Sequence, residues 1–432
     1  MIFLYPHNQI TYKALCDMLE THNRACIIQP CGTGKAMLGF HFAEMHPDDR
    51  ILWLSPNDYI FSEQNDNLRR ESDTAIHDNI EQMTYATAMN RAKNNTLEVT
   101  ADYIILDEFH HCGAPEWSKG VAAIFEQCPN AKVIGLSATH IRYSDSGRNM
   151  ADELFEGNIA SQMTLEEAWL QGILPMPTYV TALYEAPKEL DDIQARIENI
   201  KDKKKHGEFM KKYEQLRRSL AEADGLDEIF AKYITKPNAK LIVFCPNTEK
   251  LEDFSLLRRD WFKHINKDIH VYKTYIANPR GNKDYEGFKC DDTDALKVLY
   301  CIDQLNEGVH IDGIDAVIMV RPTTSPVVFT QQLGRALECG SNQTPLVFDL
   351  VNNLGSVGNY AISSDRIEDA YSSLSGEGKR PKYTPEDFQI YDEIQDPREL
   401  MSELKEALDP HMTIDEKIEF LEAIAAENGG RL

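Results

Sequence analysis

Two adjacent carboxylates, Asp107 and Glu108, follow the apolar run Tyr103-Ile104-Ile105-Leu106 and precede Phe109-His110-His111. A short apolar run rich in Ile reads as a buried central strand of a parallel sheet. Parallel sheets present their functional groups at the carboxyl ends of strands, where charges with nothing to do are costly. One carboxylate of such a pair can hold a magnesium ion while the other activates water. The plain alternative is a strand that ends in a polar turn, and the pair alone does not decide between them. A second candidate lies upstream, where Ala25-Cys26-Ile27-Ile28 runs into Gln29-Pro30-Cys31-Gly32-Thr33-Gly34-Lys35. A strand, a Gly-rich turn with lysine and a helix over 36–45, stopped by Pro47, make a phosphate cradle. The backbone N–H groups of Gly32, Thr33, Gly34 and Lys35 would face the anion, helped by the positive helix end, and Lys35 would reach the outer phosphates. The usual pattern continues with a Ser or Thr whose hydroxyl ligates magnesium. Ala36 stands there instead, so the motif is incomplete.

The elements that must carry these groups alternate regularly. Tyr5-Pro6-His7-Asn8-Gln9 leads into an amphipathic helix over 10–19. Strands are expected at 51–54, running into Ser55-Pro56-Asn57, around 80–83 before Thr84-Tyr85, and at 133–136 before Ser137-Ala138-Thr139. The helix after Asn57 carries Gln64, Leu68, Arg69 and Arg70. Strand and helix at these intervals predict a doubly wound parallel sheet. The pattern changes over 164–177, where Gly172, Pro175 and Pro177 end a short helix, giving a first domain of residues 1–165. A second domain over 166–352 has strands expected at 179–184, 240–245, 296–301, 316–320 and 345–350. Its turns carry Asp303 to His310 and Gln331-Gln332-Leu333-Gly334-Arg335.

A helical insertion over about 187–225 reads as two helices meeting near His206-Gly207, with Ile193, Ile197 and Ile200 on one apolar face and Met210, Tyr213, Leu216 and Leu220 on the other. Between Arg196 and Arg218 nine Lys/Arg face four Asp/Glu, 9 − 4 = +5, a local exception in this chain. It suits either a solvated hairpin or a nucleic-acid contact. Residues 353–432 read as an acidic helical region, with helices at 397–408 and 413–427, the second opened by a capping box of Thr413 and Glu416. That region holds 8 Lys/Arg and 18 Asp/Glu, 8 − 18 = −10, a poor match for a phosphate backbone.

Composition bounds the function. A chain of 432 residues exceeds one ordinary core, and 42% hydrophobic with 27% charged residues is a globular composition. No apolar run approaches the ~20 residues of a membrane helix, and MIFLYPHNQI lacks the basic region of a signal peptide, so no membrane partner is expected. Nine cysteines without a C-x-x-C pair predict reduced thiols in the cytoplasm and argue against a zinc site. The net charge of −25 opposes a broad electrostatic grip on nucleic acid, though not a local basic groove.

Taken in order, Gly32–Lys35, Asp107-Glu108-Phe109-His110, Ser137-Ala138-Thr139, Glu307-Gly308-Val309-His310 and Gln331-x-x-Gly334-Arg335 resemble the successive motifs of superfamily 2 helicases. The variant is similar to the DExH (DEAD/DEAH-box) type, near the translocating subunit of type III restriction enzymes. The resemblance spans about residues 5–352 and implies two tandem RecA-like domains, with ATP and Mg2+ in the cleft between them and nucleic acid across the top. It implies that Gln9 reads adenine, that Lys35 and the loop backbone hold the β- and γ-phosphates, and that Asp107 holds magnesium through water. Glu108 would then polarise the attacking water, and His110, Ser137 and Thr139 would couple nucleotide state to the domain interface. Gln331 and Arg335 would reach in from the second domain, Arg335 as the arginine finger. Turns at Ser55–Asn57, Thr84–Tyr85 and Asn247–Thr248 match positions that touch a nucleic-acid backbone. His111 and His310 are assigned no chemistry.

Two departures bear on turnover: Ala36 removes a magnesium ligand, and Glu338 stands where many relatives carry a second arginine. The leading reading is an ATP-dependent nucleic-acid helicase or translocase, with DNA preferred to RNA as its track. The alternative is an ATP-binding clamp that hydrolyses weakly and serves a partner protein. A P-loop enzyme acting on small molecules would need a substrate pocket that the sequence does not suggest. No nuclease motif is visible, so cutting would belong to a partner such as a nuclease or another defence or repair subunit.

Overall fold

The computed structural model describes residues 2–72, 77–142, 147–182, 193–200, 203–222, 225–275, 278–302, 313–321, 329, 332–334, 344–351, 364–393, 404 and 408. Helix α1 (Pro6–Thr21) precedes strand β1 (Arg24–Ile28), the phosphate-loop segment and α2 (Lys35–Met45). Then come β2 (Ile51–Ser55), α3 (Asp58–Ser72), β3 (Ile80–Thr84), α4 (Tyr85–Lys93), β4 (Tyr103–Asp107), α5 (Pro115–Gln127) and β5 (Lys132–Ser137). A small hairpin of β6 (Ile141–Arg142) and β7 (Arg148–Asn149), α6 (Met150–Phe155) and β8 (Ile159–Gln162) complete the first unit. Its six-stranded sheet has the order β3-β2-β4-β5-β1-β8, and every pair is parallel.

Strand β4 shows why its sequence reads as unbroken apolar. Side chains alternate between the faces of a strand, and both faces of this one are covered. Ile104 and Leu106 join a core with Leu52, Leu54, Phe109 and Phe155, while Ile105 packs on the other side with Ile27, Leu38 and Trp53. The strand ends that carry Asp107, Ser137 and the phosphate loop therefore emerge along one edge of a sheet fixed from both sides.

After β8 the chain crosses into a second core. Helix α7 (Leu165–Leu170) starts with a capping box in which Thr164 and Glu167 each hold the other's backbone N–H. It buries Trp169 with Tyr179, Ile242, Leu299 and Val347. The second sheet has seven strands in the order β11-β12-β10-β13-β14-β9-β15, again with every pair parallel. These are β9 (Thr178–Thr181), β10 (Lys240–Phe244), β11 (Ile269–Thr274), β12 (Leu296–Cys301), β13 (Ala316–Met319), β14 (Leu346–Asp349) and β15 (Gln389–Asp392). Two parallel α/β sheets in tandem are the architecture expected from the sequence.

Two details depart from the expectation. The helical segment over 193–198, α8, is followed by α9 (Lys203–Glu222), which runs unbroken through His206-Gly207. A Cβ placed on Gly207 would meet nothing among the described residues within 4 Å, and an exposed glycine costs a helix only about 1 kcal/mol. Phe209 and Tyr213 anchor this helix, at 5% and 4% exposure. The second sheet also continues past residue 352: helix α13 (Ser364–Gly376) packs on α7, and β15 pairs with β9 as the outermost strand. The helices expected at 397–408 and 413–427 lie outside the described residues, apart from the buried Leu404 and Leu408. Helices α10 (Leu226–Tyr233), α11 (Thr248–Trp261) and α12 (Gly281–Cys290) cover the second sheet. The eight cysteines among the described residues form no disulfide with one another. No helix among those residues is long and apolar enough to cross a membrane.

Candidate nucleotide site

The loop after β1 is shaped by its glycines. Gly32 and Gly34 have φ of 84° and 87°, left-handed values that glycine adopts without steric cost. A Cβ on Gly34 would stand 3.0 Å from Asn8 Nδ2. Helix α1 holds the loop from outside. Asn8 Nδ2 donates to the Thr33 carbonyl at 2.7 Å, and His7 Nε2 lies 2.9 Å from the same oxygen. Burial pushes the His7 imidazole down, against the upward pull of that carbonyl. Thr33, fully buried, donates through Oγ1 to the Pro30 carbonyl at 2.9 Å. Gln29 Nε2 donates to Thr11 Oγ1 at 2.8 Å. Lys35 folds back on the strand end, its Nζ donating to the carbonyls of Gln29 and Pro30 at 2.8 and 3.0 Å. Ala36 occupies the next position of α2, with only a methyl group where a hydroxyl is usual.

The carboxylates meet this loop from β4. Asp107 is 5% exposed, and its Oδ2 accepts from Gln64 Nε2 at 2.7 Å. Its Oδ1 accepts the N–H of Glu108 at 3.1 Å, and its carbonyl accepts the Tyr85 hydroxyl at 2.8 Å. Glu108 turns sharply out of the strand with φ 48° and ψ 50°, a left-handed backbone that a residue with a side chain adopts at a cost. The turn brings its Oε2 within 3.2 Å of Ser137 Oγ and 3.4 Å of His110 Nδ1. Ser137 Oγ lies 2.8 Å from His110 Nδ1 and also accepts the N–H of Thr139 at 3.3 Å. The two carboxylates titrate as a pair. Burial and the charge of Glu108 push Asp107 up. Burial opposes ionisation of Glu108 too, but the His110 hydrogen bond and the charges of Lys35, His110 and His111 overcome it and hold that carboxyl below the usual range.

Lys35, Asp107, Glu108, His110, Ser137 and Thr139 thus form one constellation along the carboxyl edge of the first sheet. Gln9 stands apart: it is exposed, and its Nε2 donates to the Leu4 carbonyl at 2.9 Å. Gln331 and Arg335, with His310 and Glu338, fall outside the described residues. Gly334, next to Arg335, is described and packs on the phosphate loop: a Cβ there would stand 2.8 Å from Cys31 Cβ. Sequence reasoning missed His7 and Asn8 as anchors of the loop, and Gln64 as a partner of Asp107. Their polar types beside an apolar helix face were the available signal. Of the turns matched to nucleic-acid contacts, Asn57, Thr84 and Asn247 each cap a helix, accepting the N–H of Ile60, Thr87 and Lys250 at 2.9, 3.1 and 2.9 Å. Tyr85 is fully buried and stacks on Trp117 at 5.4 Å, so its side chain belongs to the core.

Residues 2–142 match the family described as "Type III restriction enzyme, res subunit", and residues 223–340 match the "Helicase conserved C-terminal domain". The chain is 24% identical over 341 residues to the 51.5 kDa protein of a Lactococcus phage (isolate 7-9), covering 76% of this chain and 65% of that one. It therefore spans just under two thirds of the phage relative. Among solved structures it is similar to the ATP-dependent Type ISP restriction-modification enzyme LlaBIII bound to DNA, with a TM-score of 0.58 and 15% identity over 95% of this chain and 33% of that one. It is also similar to S. cerevisiae Dbp5 bound to RNA and ADP BeF3, with a TM-score of 0.51 and 11% identity over 94% of this chain and 98% of that one. At these identities the structural likeness shows the fold, a tandem pair of RecA-like domains.

Proposed function

We propose that this chain, a superfamily 2 helicase related to the motor subunits of restriction enzymes, is a DExH-type ATPase that moves along nucleic acid, with DNA as its track. The observation that carries the reading is the meeting of Lys35, Asp107 and Glu108 at one sheet edge, with Gly334 of the second domain seated against Cys31 of the phosphate loop.

The residues fit a magnesium-bound triphosphate. The left-handed Gly32 and Gly34 open α2, whose first-turn N–H groups have no partner within the helix and suit an anion. Lys35 already donates two hydrogen bonds there, which a β- or γ-phosphate oxygen would replace. Asp107 would hold magnesium through water, and the ion, when bound, neutralises charge on the phosphates. Glu108, held by contacts to Ser137 and His110, would take the proton of the attacking water. Arg335 follows Gly334 and would come to the γ-phosphate as the domains close. Thr139, bonded to Ser137, would pass that change onward, while Gln9 would meet adenine only after leaving Leu4. Backbone N–H groups at the capped starts of α3, α4 and α11 suit a phosphate backbone.

ATP hydrolysis measured with no nucleic acid, and with single- and double-stranded DNA and RNA, tests the reading. DNA-stimulated turnover is expected. Binding without turnover on any track would favour the clamp, to which Ala36 points because it leaves magnesium one protein ligand fewer. Equal stimulation by RNA would remove the preference for DNA. Cutting, if this system cuts, is assigned to a partner subunit.

A further inference from the structure

Gln64 makes the shortest side-chain hydrogen bond to Asp107 among the described residues, 2.7 Å from Nε2 to Oδ2, at the short end of the N–H···O range. Gln64 is 8% exposed, and its Oε1 is buried with no hydrogen-bond partner among the described residues. The amide therefore satisfies the carboxylate before it satisfies itself. Its neighbour on α3, Glu63, is 3% exposed and pairs with Lys289 Nζ at 3.1 Å. Lys289 belongs to α12 of the second domain and lies 5.2 Å above the Tyr285 ring, which meets Tyr59 of α3 edge-on at 5.6 Å. One rigid helix thus touches Asp107 with one residue and the other domain with the residue before it. A buried Glu that loses its cation is left as an uncompensated charge, so the tie resists separation of α3 from α12. We propose that Gln64 is a positioning residue for Asp107, and that α3 makes this placement respond to the second domain through Glu63 and Lys289.

The proposal rests on the ATPase reading and is tested by binding rather than turnover. Binding of a fluorescent ATP analogue to the full chain is titrated with magnesium. Gln64→Ala removes one hydrogen bond to a charged group, so the half-saturating magnesium concentration should rise about tenfold. Gln64→Met keeps roughly the volume without the donor, and should raise it about as much. Lys289→Ala should raise it by less, and adding it to Gln64→Ala should change nothing further, because both act through one link. Wild-type half-saturation in both Gln64 variants overturns the positioning role. A Lys289→Ala protein identical to wild type, or a double variant that multiplies the single effects, overturns the link to the second domain. Wild-type protein whose nucleotide binding ignores magnesium sinks the ATPase reading itself, a different outcome from normal binding that Gln64 does not affect.

Discussion

Ser137 Oγ stands 3.2 Å from Glu108 Oε2, joining the end of β5 to the turn after β4. The same oxygen lies 2.8 Å from His110 Nδ1, so one hydroxyl spans the carboxylate and the imidazole. Both the serine and the carboxylate are buried, where a hydrogen bond to a charged group contributes about 1.5–3 kcal/mol. Glu108 already carries a left-handed backbone, and Ser137 helps hold it there.

Ser137→Ala should therefore lower kcat about tenfold or more while leaving ATP affinity near the native value. The carboxylate would lose its orientation, and the phosphate loop, anchored by Asn8 and Thr33, would not change. Steady-state hydrolysis together with equilibrium nucleotide binding separates the two effects. A loss confined to affinity would place Ser137 with the phosphate contacts instead.

Glu108→Gln and Lys35→Ala should divide binding from chemistry. The glutamine keeps the shape of Glu108 but cannot accept a proton from water, so ATP should bind and persist unhydrolysed. Lys35→Ala removes the cation for the outer phosphates, and calorimetry should show nucleotide affinity largely lost. Normal turnover in Glu108→Gln would exclude Glu108 as the base, and unchanged affinity in Lys35→Ala would exclude the phosphate-loop role.

Legibility in the sequence followed burial. The central strands β4 and β5 are apolar on both faces, and their polar ends announced Asp107, Glu108 and Ser137. Of the four edge strands only β3 was legible: β8 reads Ile-Ala-Ser-Gln and is half-buried, and β11 and β15 mix polar and apolar residues. Their place is set by the neighbour they pair with, not by their own pattern. Gln64 meets Asp107 across 43 positions, a pairing that only the sheet order creates. The adenine role of Gln9 comes from the family resemblance alone, and one residue earlier the helix turns Asn8 inward; a rotation of about 100° per residue decides which side chain meets the loop.

The lysines of α9 distinguish a helix that grips the track from a solvated one. Lys203, Lys204 and Lys211 are exposed, and Lys205 and Lys212 are half-buried, on a helix anchored by Phe209 and Tyr213. Neutralising all five should weaken DNA binding and flatten its dependence on salt, by about 0.7–0.9 in the log–log slope for each phosphate that is no longer neutralised. Binding isotherms over a range of salt concentrations give the slope directly. An unaltered slope would leave this helix facing water.

Ala36 bears most directly on whether the chain turns over or only clamps. A hydroxyl at this position of α2 would stand one residue past Lys35, in the first turn of the helix, where phosphates would bind. Without it, water must complete the magnesium shell, and magnesium keeps waters readily, so binding need not suffer. If the chain hydrolyses ATP, a hydroxyl at this position would help fix the ion that neutralises charge on the phosphates, and Ala36 cannot. Ala36→Thr should therefore raise DNA-stimulated kcat several-fold, with little change in ATP affinity. The threonine side chain adds volume beside half-buried neighbours, so a thermal melt should accompany the kinetics to show that the fold is kept. A native protein already as fast as a well-folded Thr variant would mean that Asp107 and water place the ion well enough, and the clamp reading would lose its main support.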